Sequence, residues 1–293
     1  MTPRARIIGI ATVLSLSVIS MCQAQSPTDI YLMNLSVRRN RVFISEPVAI
    51  AKHKGYDNQP CFHPEKPLIY FSSADESGRT NILDYNYVSG QTRNITITPE
   101  REYSPTVTPD GKFLSCIIQR DGGAQDLGKY PLEGDDPKLI VDSLIVGYHV
   151  WVDPSNLILF VLGNVNTLQW YNIDSKTHQV LIENPGRSLH KIPGKNAVSF
   201  VHKVSETEWL IKSINLSDRV ITTLCPTLPD REDLAWTADG KILMSDGTKL
   251  FSVNPFGTRK TWHEVDSPFI LSGVTRLAVH PDGSRLALVM EEK

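Results

Sequence analysis

The sequence predicts an all-β fold, namely a six-bladed β-propeller with four antiparallel strands in each blade. Three observations support this prediction. A strand-turn-strand unit recurs along the chain, its copies are 39 to 45 residues apart, and the last copy lacks two strands that the start of the chain can supply. Repeats of this length with several short strands are typical of propeller blades.

The clearest copy of the unit lies at residues 102–118. Residues 106–108 are Thr-Val-Thr, and β-branched side chains of this kind favour an extended chain. A Pro-Asp-Gly turn follows at residues 109–111. Proline presets φ, aspartate can accept a hydrogen bond from the backbone ahead of it, and glycine tolerates a positive φ. The apolar stretch 113–118 then predicts a buried returning strand.

The same turn position can be identified in six units. It is occupied by Pro64, Pro109, Pro154, Pro193, Ala238 and Pro281. The successive spacings are 45, 45, 39, 45 and 43 residues, and an apolar segment follows each turn. This regularity predicts one blade per unit.

Two further strands are predicted outside each of the first three hairpins. They lie at residues 82–87 and 93–97 in the first unit, 127–132 and 138–141 in the second, and 168–173 and 179–182 in the third. Four strands per unit are the number that a propeller blade requires.

The last unit ends after two strands, whereas residues 29–34 and 41–45 resemble a third and a fourth strand. We therefore expect the N-terminal hairpin to complete the C-terminal blade. This closure removes two sheet edges that would otherwise favour aggregation. Residues 25–293 are thus predicted to form a single domain of six blades.

The N-terminus has the features of a secretory signal peptide. Arg4 and Arg6 precede an apolar run at residues 7–21, and Cys22-Gln23-Ala24 supplies a small residue for cleavage. This pattern predicts a signal peptide over residues 1–24 and an exported protein, periplasmic or secreted. A lipid anchor at Cys22 is the less favoured alternative, because Met21 is a poor residue before such a site. No transmembrane segment is predicted in the mature chain.

Charge and cysteine content restrict the possible partners and sites. The formal net charge of −2 gives no basic surface of the kind that nucleic acids require, and no nucleic-acid partner is predicted. Cys61, Cys116 and Cys225 are widely spaced and odd in number, which argues against a disulfide framework. They are predicted to serve as small buried hydrophobic residues.

Three segments carry a resemblance to a known family. They are Ser104-Pro105-x-x-x-Pro109-Asp110-Gly111-Lys112, Asp57-x-x-Pro60-x-x-x-Pro64 and Pro281-Asp282-Gly283-Ser284-Arg285. This pattern resembles the repeat of the TolB-type six-bladed propellers, over about residues 28–293. The resemblance implies a fold more than a function, since family members include periplasmic protein-binding modules and propeller domains attached to peptidases.

No recognisable catalytic motif accompanies the repeat. The sequence has no Gly-x-Ser-x-Gly elbow, His-Glu-x-x-His motif, glycine-rich phosphate loop or Cys-x-x-Cys pair. The chain also has no room for the separate α/β domain that carries the serine triad in propeller-bearing peptidases of the prolyl oligopeptidase type. A peptidase is therefore not predicted, and a non-catalytic protein is favoured.

A ligand-binding site is predicted at the mouth of the central channel. The first strand of each blade lines this channel, so the residues where these strands begin converge on one opening. A convergence of polar groups in a concavity is the usual candidate for a binding site. The predicted residues are Asp57, Asn58, Glu102, Tyr103, Tyr148, His149, Arg187, His190, Glu232, Asp233 and Arg276.

Two functions remain open from the sequence. The first is an extracytoplasmic propeller that binds an envelope protein, a peptide or a glycan on one face or at the channel mouth, without a cofactor. The alternative is a small-molecule hydrolase, lactonase-like or lyase-like, with a divalent metal in the channel. Oxygen-rich ligands would favour calcium or manganese, and the candidate ligands are Asp57, Glu102, His149 and Asp233.

Overall fold

The computed structural model describes residues 26–52, 54–132 and 137–292. The predicted signal peptide and its cleavage site lie outside these described residues. Three strands come first in the chain: β1 (Thr28–Arg38), β2 (Arg41–Ile44) and β3 (Val48–Ala51). All 25 strands of the described part of the chain belong to six sheets.

Blades 1 to 5 follow one another along the chain, and each is an antiparallel sheet of four strands. Blade 1 contains β4 (Asp57–Phe62), β5 (Leu68–Ala74), β6 (Thr80–Asn86) and β7 (Gln91–Asn94). Blade 2 contains β8 (Arg101–Val107), β9 (Phe113–Gln119), β10 (Gln125–Pro131) and β11 (Lys138–Val141). Blade 3 contains β12 (Val146–Asp153), β13 (Asn156–Val161), β14 (Thr167–Asn172) and β15 (Thr177–Glu183).

The remaining blades follow the same order. Blade 4 contains β16 (Pro185–Lys191), β17 (Ala197–Lys203), β18 (Trp209–Asn215) and β19 (Ile221–Pro226). Blade 5 contains β20 (Leu234–Trp236), β21 (Ile242–Ser245), β22 (Leu250–Val253) and β23 (His263–Glu264). Blade 6 begins with β24 (Arg276–Val279) and β25 (Arg285–Glu291) and is completed from the other end of the chain.

The ring closes as the sequence predicts. Strand β1 pairs antiparallel with β25, from Thr28 opposite Glu291 to Asn34 opposite Arg285. Strand β2 then adds to β1, giving the order β2-β1-β25-β24. The structure departs from the expected four strands in one respect. Because β1 is 11 residues long, its first half also pairs with β3, which the sequence did not predict.

The Pro-Asp-Gly turn of blade 2 forms the expected hairpin connection. Thr108 N donates to the Phe113 carbonyl at 3.0 Å, and Lys112 N donates to Asp110 Oδ1 at 3.1 Å. Gly111 has a φ of 67°, a value that side chains disfavour and glycine accepts. This geometry explains why the repeat places glycine after aspartate.

The hydrophobic core lies mainly between neighbouring blades. In one cluster, Ile158 and Leu168 of blade 3 pack with Val198 and Phe200 of blade 4, and all four side chains are fully buried. Each sheet therefore stabilises the next one through side chains rather than through backbone hydrogen bonds. Burial of this kind removes apolar surface from water on both faces of a blade.

Tryptophans at equivalent places tie two pairs of blades together. Trp151 Nε1 in blade 3 donates to Ser115 Oγ in blade 2 at 2.9 Å. Trp236 Nε1 in blade 5 donates to Ser199 Oγ in blade 4 at 2.8 Å. Both indoles are buried, so these hydrogen bonds satisfy a donor that would otherwise be costly to bury.

The inner strands form the wall of the central channel. Contacts around the ring join β24 to β4, β4 to β8, β12 to β16, β16 to β20 and β20 to β24. In the described ranges, we find no helix with the length and apolar character needed to cross a membrane.

Candidate binding site in the central channel

Two inner strands change direction near the channel opening where they begin. Strand β4 has a bulge between Asn58 and Cys61, and β8 has one between Tyr103 and Thr106. Gln59 and Ser104 adopt the left-handed region there, with φ values of 58° and 54°. Bulges re-aim side chains, which explains how successive residues on these strands come to face the channel.

The bulge of blade 1 is tied to the bulge of blade 2. Gln59 Oε1 accepts a hydrogen bond from the Ser104 backbone N–H at 2.7 Å and another from Ser72 Oγ at 2.9 Å. The Gln59 amide is therefore held at the channel wall. It occupies the same place in its repeat as Ser104, because the two residues are 45 positions apart.

Two cavities lie along the channel in the described part of the chain. The vestibule, about 420 Å³, lies where the inner strands begin, and the channel cavity, about 800 Å³, extends to the turns where they end. Four residues line both cavities and form a neck between them: Gln59, Tyr148, Arg187 and Arg276.

The vestibule is lined by aromatic rings, amides, hydroxyls and guanidinium groups. Its polar and aromatic residues are Ser26, Thr28, Tyr56, Asn58, Gln59, Tyr103, Gln119, Gln125, Tyr148, Arg187, Thr275 and Arg276. Among the described residues, no Asp or Glu lines it. Tyr56 and Tyr103 meet edge to face, with ring centroids 6.5 Å apart. Burial raises the pKa of Tyr56, so its phenol stays protonated and available as a donor.

Two guanidinium groups share one carboxylate at the neck. Arg187 Nε donates to Asp233 Oδ1 at 3.1 Å, and its Nη2 contacts Asp233 Oδ2. Arg276 Nη1 lies 3.5 Å from the same Oδ1 atom, while its Nη2 donates to Tyr148 Oη at 3.0 Å. Fork-shaped contacts of this kind fix the orientation of Arg187.

Glu232 extends this network behind the neck. Its Oε2 accepts from the Arg187 backbone N–H at 3.0 Å and lies 3.0 Å from Lys203 Nζ. Its Oε1 is 3.7 Å from Arg187 Nε. The cluster of Arg187, Lys203, Arg276, Glu232 and Asp233 therefore carries one more positive than negative charge.

The two predicted histidines line the channel cavity as neutral groups. Burial lowers the pKa of His149 to about 3. Burial also lowers the pKa of His190 to about 4, although Asp233 opposes this shift. His149 Nε2 lies 2.7 Å from Ser115 Oγ, and His190 Nε2 lies 2.9 Å from Ser188 Oγ. At neutral pH both imidazoles act as hydrogen-bonding groups without charge.

Three predicted acidic residues lie outside both cavities. Glu102 is fully buried and accepts hydrogen bonds from Tyr130 Oη at 2.9 Å, Thr96 Oγ1 at 3.1 Å and Thr98 Oγ1. Asp57 is fully buried at the start of β4, and Glu232 lies behind the neck. A role for these three in ligand binding stays a prediction.

Three of the four candidate metal ligands have partners within the protein. Glu102 is engaged by three hydroxyls, His149 contacts Ser115, and Asp233 is paired with two arginines. Across the described ranges, no group of three or more His, Cys, Asp or Glu side chains has a geometry that could hold a metal ion.

The structure brings the other predicted residues to the channel. Asn58 and Tyr103 line the vestibule, His149, His190 and Asp233 line the channel cavity, and Tyr148, Arg187 and Arg276 line both. The prediction omitted Tyr56, Gln59, Gln119 and Gln125. Gln119 and Gln125 flank the turn between the second and third strands of blade 2, and in an antiparallel blade this turn lies on the same face as the start of the inner strand.

Comparison with known proteins identifies the fold. No protein-family profile matches the chain. The chain is 31% identical to the Tol-Pal system protein TolB of Francisella tularensis subsp. holarctica (strain OSU18) over 85 residues, which are 29% of this chain and 19% of that protein. The match thus spans about a fifth of the curated relative.

Solved structures cover most of the chain at low identity. A protein described as TolB from Agrobacterium tumefaciens superposes with a TM-score of 0.70 and 13% identity, covering 91% of this chain and 99% of that one. TolB from Acinetobacter baumannii superposes with a TM-score of 0.58 and 13% identity, covering 91% of this chain and 64% of that one. An oligogalacturonate lyase in complex with manganese superposes with a TM-score of 0.58 and 14% identity, covering 86% of this chain and 82% of that one. In fold, this chain is a TolB-type six-bladed β-propeller.

Proposed function

We propose that this chain is an exported, non-catalytic propeller that binds a protein or peptide partner in the vestibule. The observation that carries the proposal is the composition of the vestibule wall. Tyr56, Tyr103 and Tyr148 stand there beside Arg187 and Arg276. Tyrosine and arginine are enriched among the residues that dominate the binding free energy of protein interfaces.

The amide side chains of the vestibule support a peptide as the ligand. Among the described residues, Gln59 Nε2 and Gln119 Oε1 make no hydrogen bond within the protein, so the wall offers a donor and an acceptor of the kind that peptide groups require. An extended segment entering the vestibule could therefore form backbone hydrogen bonds while its side chains contact the tyrosine rings. The neck would stop this segment at the two arginines.

The names of the relatives suggest where the partner is found. Curated relatives carry the name Tol-Pal system protein TolB, and two of the superposed structures carry the name TolB. We propose by analogy that this chain acts in the periplasm and that its partner is another envelope protein. The predicted signal peptide over residues 1–24 is consistent with export.

Site-specific photo-cross-linking in the native envelope tests the proposal. A photoreactive residue placed at Tyr103, in the vestibule, is expected to capture the partner. The matched control is the same residue at Val88, which is 78% exposed on the outer turn between β6 and β7. Capture from position 88 alone, or from neither position, would contradict a partner in the vestibule.

The channel cavity motivates the second candidate function, a lyase-like or hydrolase-like enzyme. Its volume of about 800 Å³ is in the range of small-molecule pockets, and an oligogalacturonate lyase is among the similar structures. A metal-dependent enzyme should gain stability from its ion, by about 2.7 kcal/mol at 100 times the dissociation constant. Melting curves with manganese, calcium or chelator measure this gain. An increase that a His149→Ala/His190→Ala variant loses would favour the enzyme over our proposal.

A further inference from the structure

The neck has an unbalanced charge that faces the vestibule. Arg187 and Arg276 line the vestibule, whereas Asp233, the carboxylate between them, lines only the channel cavity. Glu232 lines neither cavity and is engaged by Lys203. A molecule in the vestibule therefore meets the positive groups of this network without its negative groups.

Arg276 has donors that the protein does not use. A guanidinium offers five N–H groups. Among the described residues, the hydrogen bond from Arg276 Nη2 to Tyr148 Oη is the one bond that its guanidinium makes, because Asp233 Oδ1 is 3.5 Å away. The Arg276 side chain is only 15% exposed. Its other neighbours, the Asp233 carboxylate and the Tyr148 ring, whose centroid lies 5.1 Å from Arg276 Cζ, leave most of its N–H groups without a hydrogen bond, and a carboxylate in the vestibule would accept from them.

A second donor next to Arg276 is also unused. Thr275 Oγ1 is buried and has no hydrogen-bond partner among the described residues, and Thr275 lines the vestibule. Buried hydroxyls normally have a partner, and one without a partner marks a place where a ligand can supply it. Thr275 and Arg276 thus adjoin each other in the lining of the same cavity.

We infer that the vestibule is a carboxylate-binding site, in which Arg276 holds the carboxylate of an acidic residue from the partner peptide. The planar guanidinium matches a carboxylate in a two-point contact. The network around the neck has one more positive than negative charge, which matches the single negative charge of one carboxylate. The tyrosine rings and amides around it suit the rest of the peptide. This inference rests on the proposed function, because it names the chemistry by which the partner is recognised.

Calorimetric titration with two short peptides tests the inference. Ac-Ala-Glu-Ala-NH2 carries a carboxylate, and Ac-Ala-Gln-Ala-NH2 is its neutral isostere. At constant ionic strength, the Glu peptide is expected to bind at least about tenfold more tightly than the Gln peptide, as charge-assisted hydrogen bonds imply. Equal affinities would overturn the inference.

Variants assign the effect to Arg276. Arg276→Gln is expected to weaken binding of the Glu peptide by about tenfold or more, without changing that of the Gln peptide. Tyr148→Phe keeps the ring but removes the hydroxyl that accepts from Arg276 Nη2. We expect it to weaken binding of the Glu peptide by less than Arg276→Gln does. Arg219→Gln is the matched control, because it removes the same charge at an exposed turn between β18 and β19. Equal losses from Arg276→Gln and Arg219→Gln would overturn the inference.

A third set of titrations tests whether the carboxylate belongs to a peptide or to a sugar acid. Galacturonate and galactose form a second acid and neutral pair, and galacturonate binding more tightly than the Glu peptide would overturn the assignment to a peptide. Failure of the proposed function can be distinguished from failure of this inference. Loss of cross-linking at position 103 reports on the partner, whereas the peptide titration reports on the arginine site alone.

Discussion

The channel cavity is lined by all six inner strands and the vestibule by five of them together with neighbouring segments, and the two linings differ in chemistry. Donor groups and tyrosine rings dominate the vestibule, where no carboxylate of the described residues is exposed. The channel cavity is lined largely by prolines, aliphatic residues and Trp151 and Trp236, together with neutral histidines. One end of the channel thus offers polar recognition, and the other end is mainly a product of blade packing.

The difference follows the repeat pattern. The repeat fixes the ends of the inner strands, where Pro109, Pro193 and Pro281 occupy equivalent turns. The beginnings of these strands differ from blade to blade, with Tyr103, Tyr148, Arg187 and Arg276 at or near the neck. Residues that the repeat requires serve the fold, whereas residues that the repeat leaves free can be used for binding.

The largest effect on stability is expected from the channel cavity. Trp236→Ala removes a buried indole that bonds Ser199 and stacks on Phe256. The free energy of unfolding should fall by about 3–5 kcal/mol, measured by denaturant titration. Affinity for the Glu peptide should not change. Val88→Ala, at an exposed position, should change the unfolding free energy by no more than about 0.5 kcal/mol. A loss of peptide affinity in folded Trp236→Ala would break the distinction between the two cavities.

A substitution at the neck between the two cavities should lower stability and strengthen peptide binding at the same time. Asp233→Asn leaves Arg187 and Arg276 without their shared carboxylate, and the unfolding free energy should fall by about 3 kcal/mol. The same change adds a positive charge beside the vestibule, so the Glu peptide should bind more tightly. Glu264→Gln breaks an exposed pair with Lys249 and should cost less than about 1 kcal/mol. Weaker peptide binding in Asp233→Asn would contradict the charge argument.

The histidines of the channel cavity predict a dependence of stability on pH. Burial holds the pKa of His149 at about 3 and that of His190 at about 4 in the folded state, whereas an unfolded histidine has a pKa of about 6.5. Their stabilising contribution is complete above pH 6.5 and is lost as the pH falls, because the unfolded chain then binds protons that the native state excludes.

Between pH 7 and pH 5 the expected loss is about 2 kcal/mol for each of the two histidines. Urea titrations at several pH values would measure it. A His149→Asn/His190→Asn variant should show a flatter profile, whereas His263→Gln, at an exposed position in β23, should keep the slope of the unmodified protein. An unchanged slope in the double variant would show that these imidazoles are not buried as described.

The smallest effect on stability is expected in the vestibule. Thr275→Val replaces a buried hydroxyl that lacks a partner among the described residues with a methyl group of similar shape. The unfolding free energy should change by no more than about 0.5 kcal/mol, because no hydrogen bond is lost. Binding of the Glu peptide should weaken measurably, since Thr275 adjoins Arg276 in the lining. A destabilised variant with unchanged affinity would show that the hydroxyl has a structural role.

The repeat made most of the fold predictable. The turn residues, the spacing and the two N-terminal strands predict the six blades and their closure, because each feature depends on local chemistry or on counting. Strand β3 was not predicted, since its pairing depends on the unusual length of β1. The short β23, of two residues, also carries little sequence signal.

The site was predictable only in outline. The positions where inner strands begin could be counted, and this placed Tyr103, Tyr148, Arg187 and Arg276 near one opening. The direction of each side chain could not be predicted by counting residues. The bulges at Gln59 and Ser104 interrupt the regular alternation of side chains between the two faces of the strand. Glu102 illustrates the consequence, since it precedes Tyr103 yet points into blade 2 toward Tyr130.

One measurement tests the central claim, that the vestibule recognises a carboxylate, most directly. It is a crystal structure of the protein with p-bromobenzoate, in which anomalous scattering locates the bromine and p-bromobenzamide provides the neutral control. We expect the benzoate carboxylate to lie within hydrogen-bonding distance of the Arg276 guanidinium, with the ring beside Tyr56 and Tyr103 in the vestibule, and we expect no binding of the amide there. Bromine in the channel cavity alone, or equal occupancy by the amide, would contradict the claim.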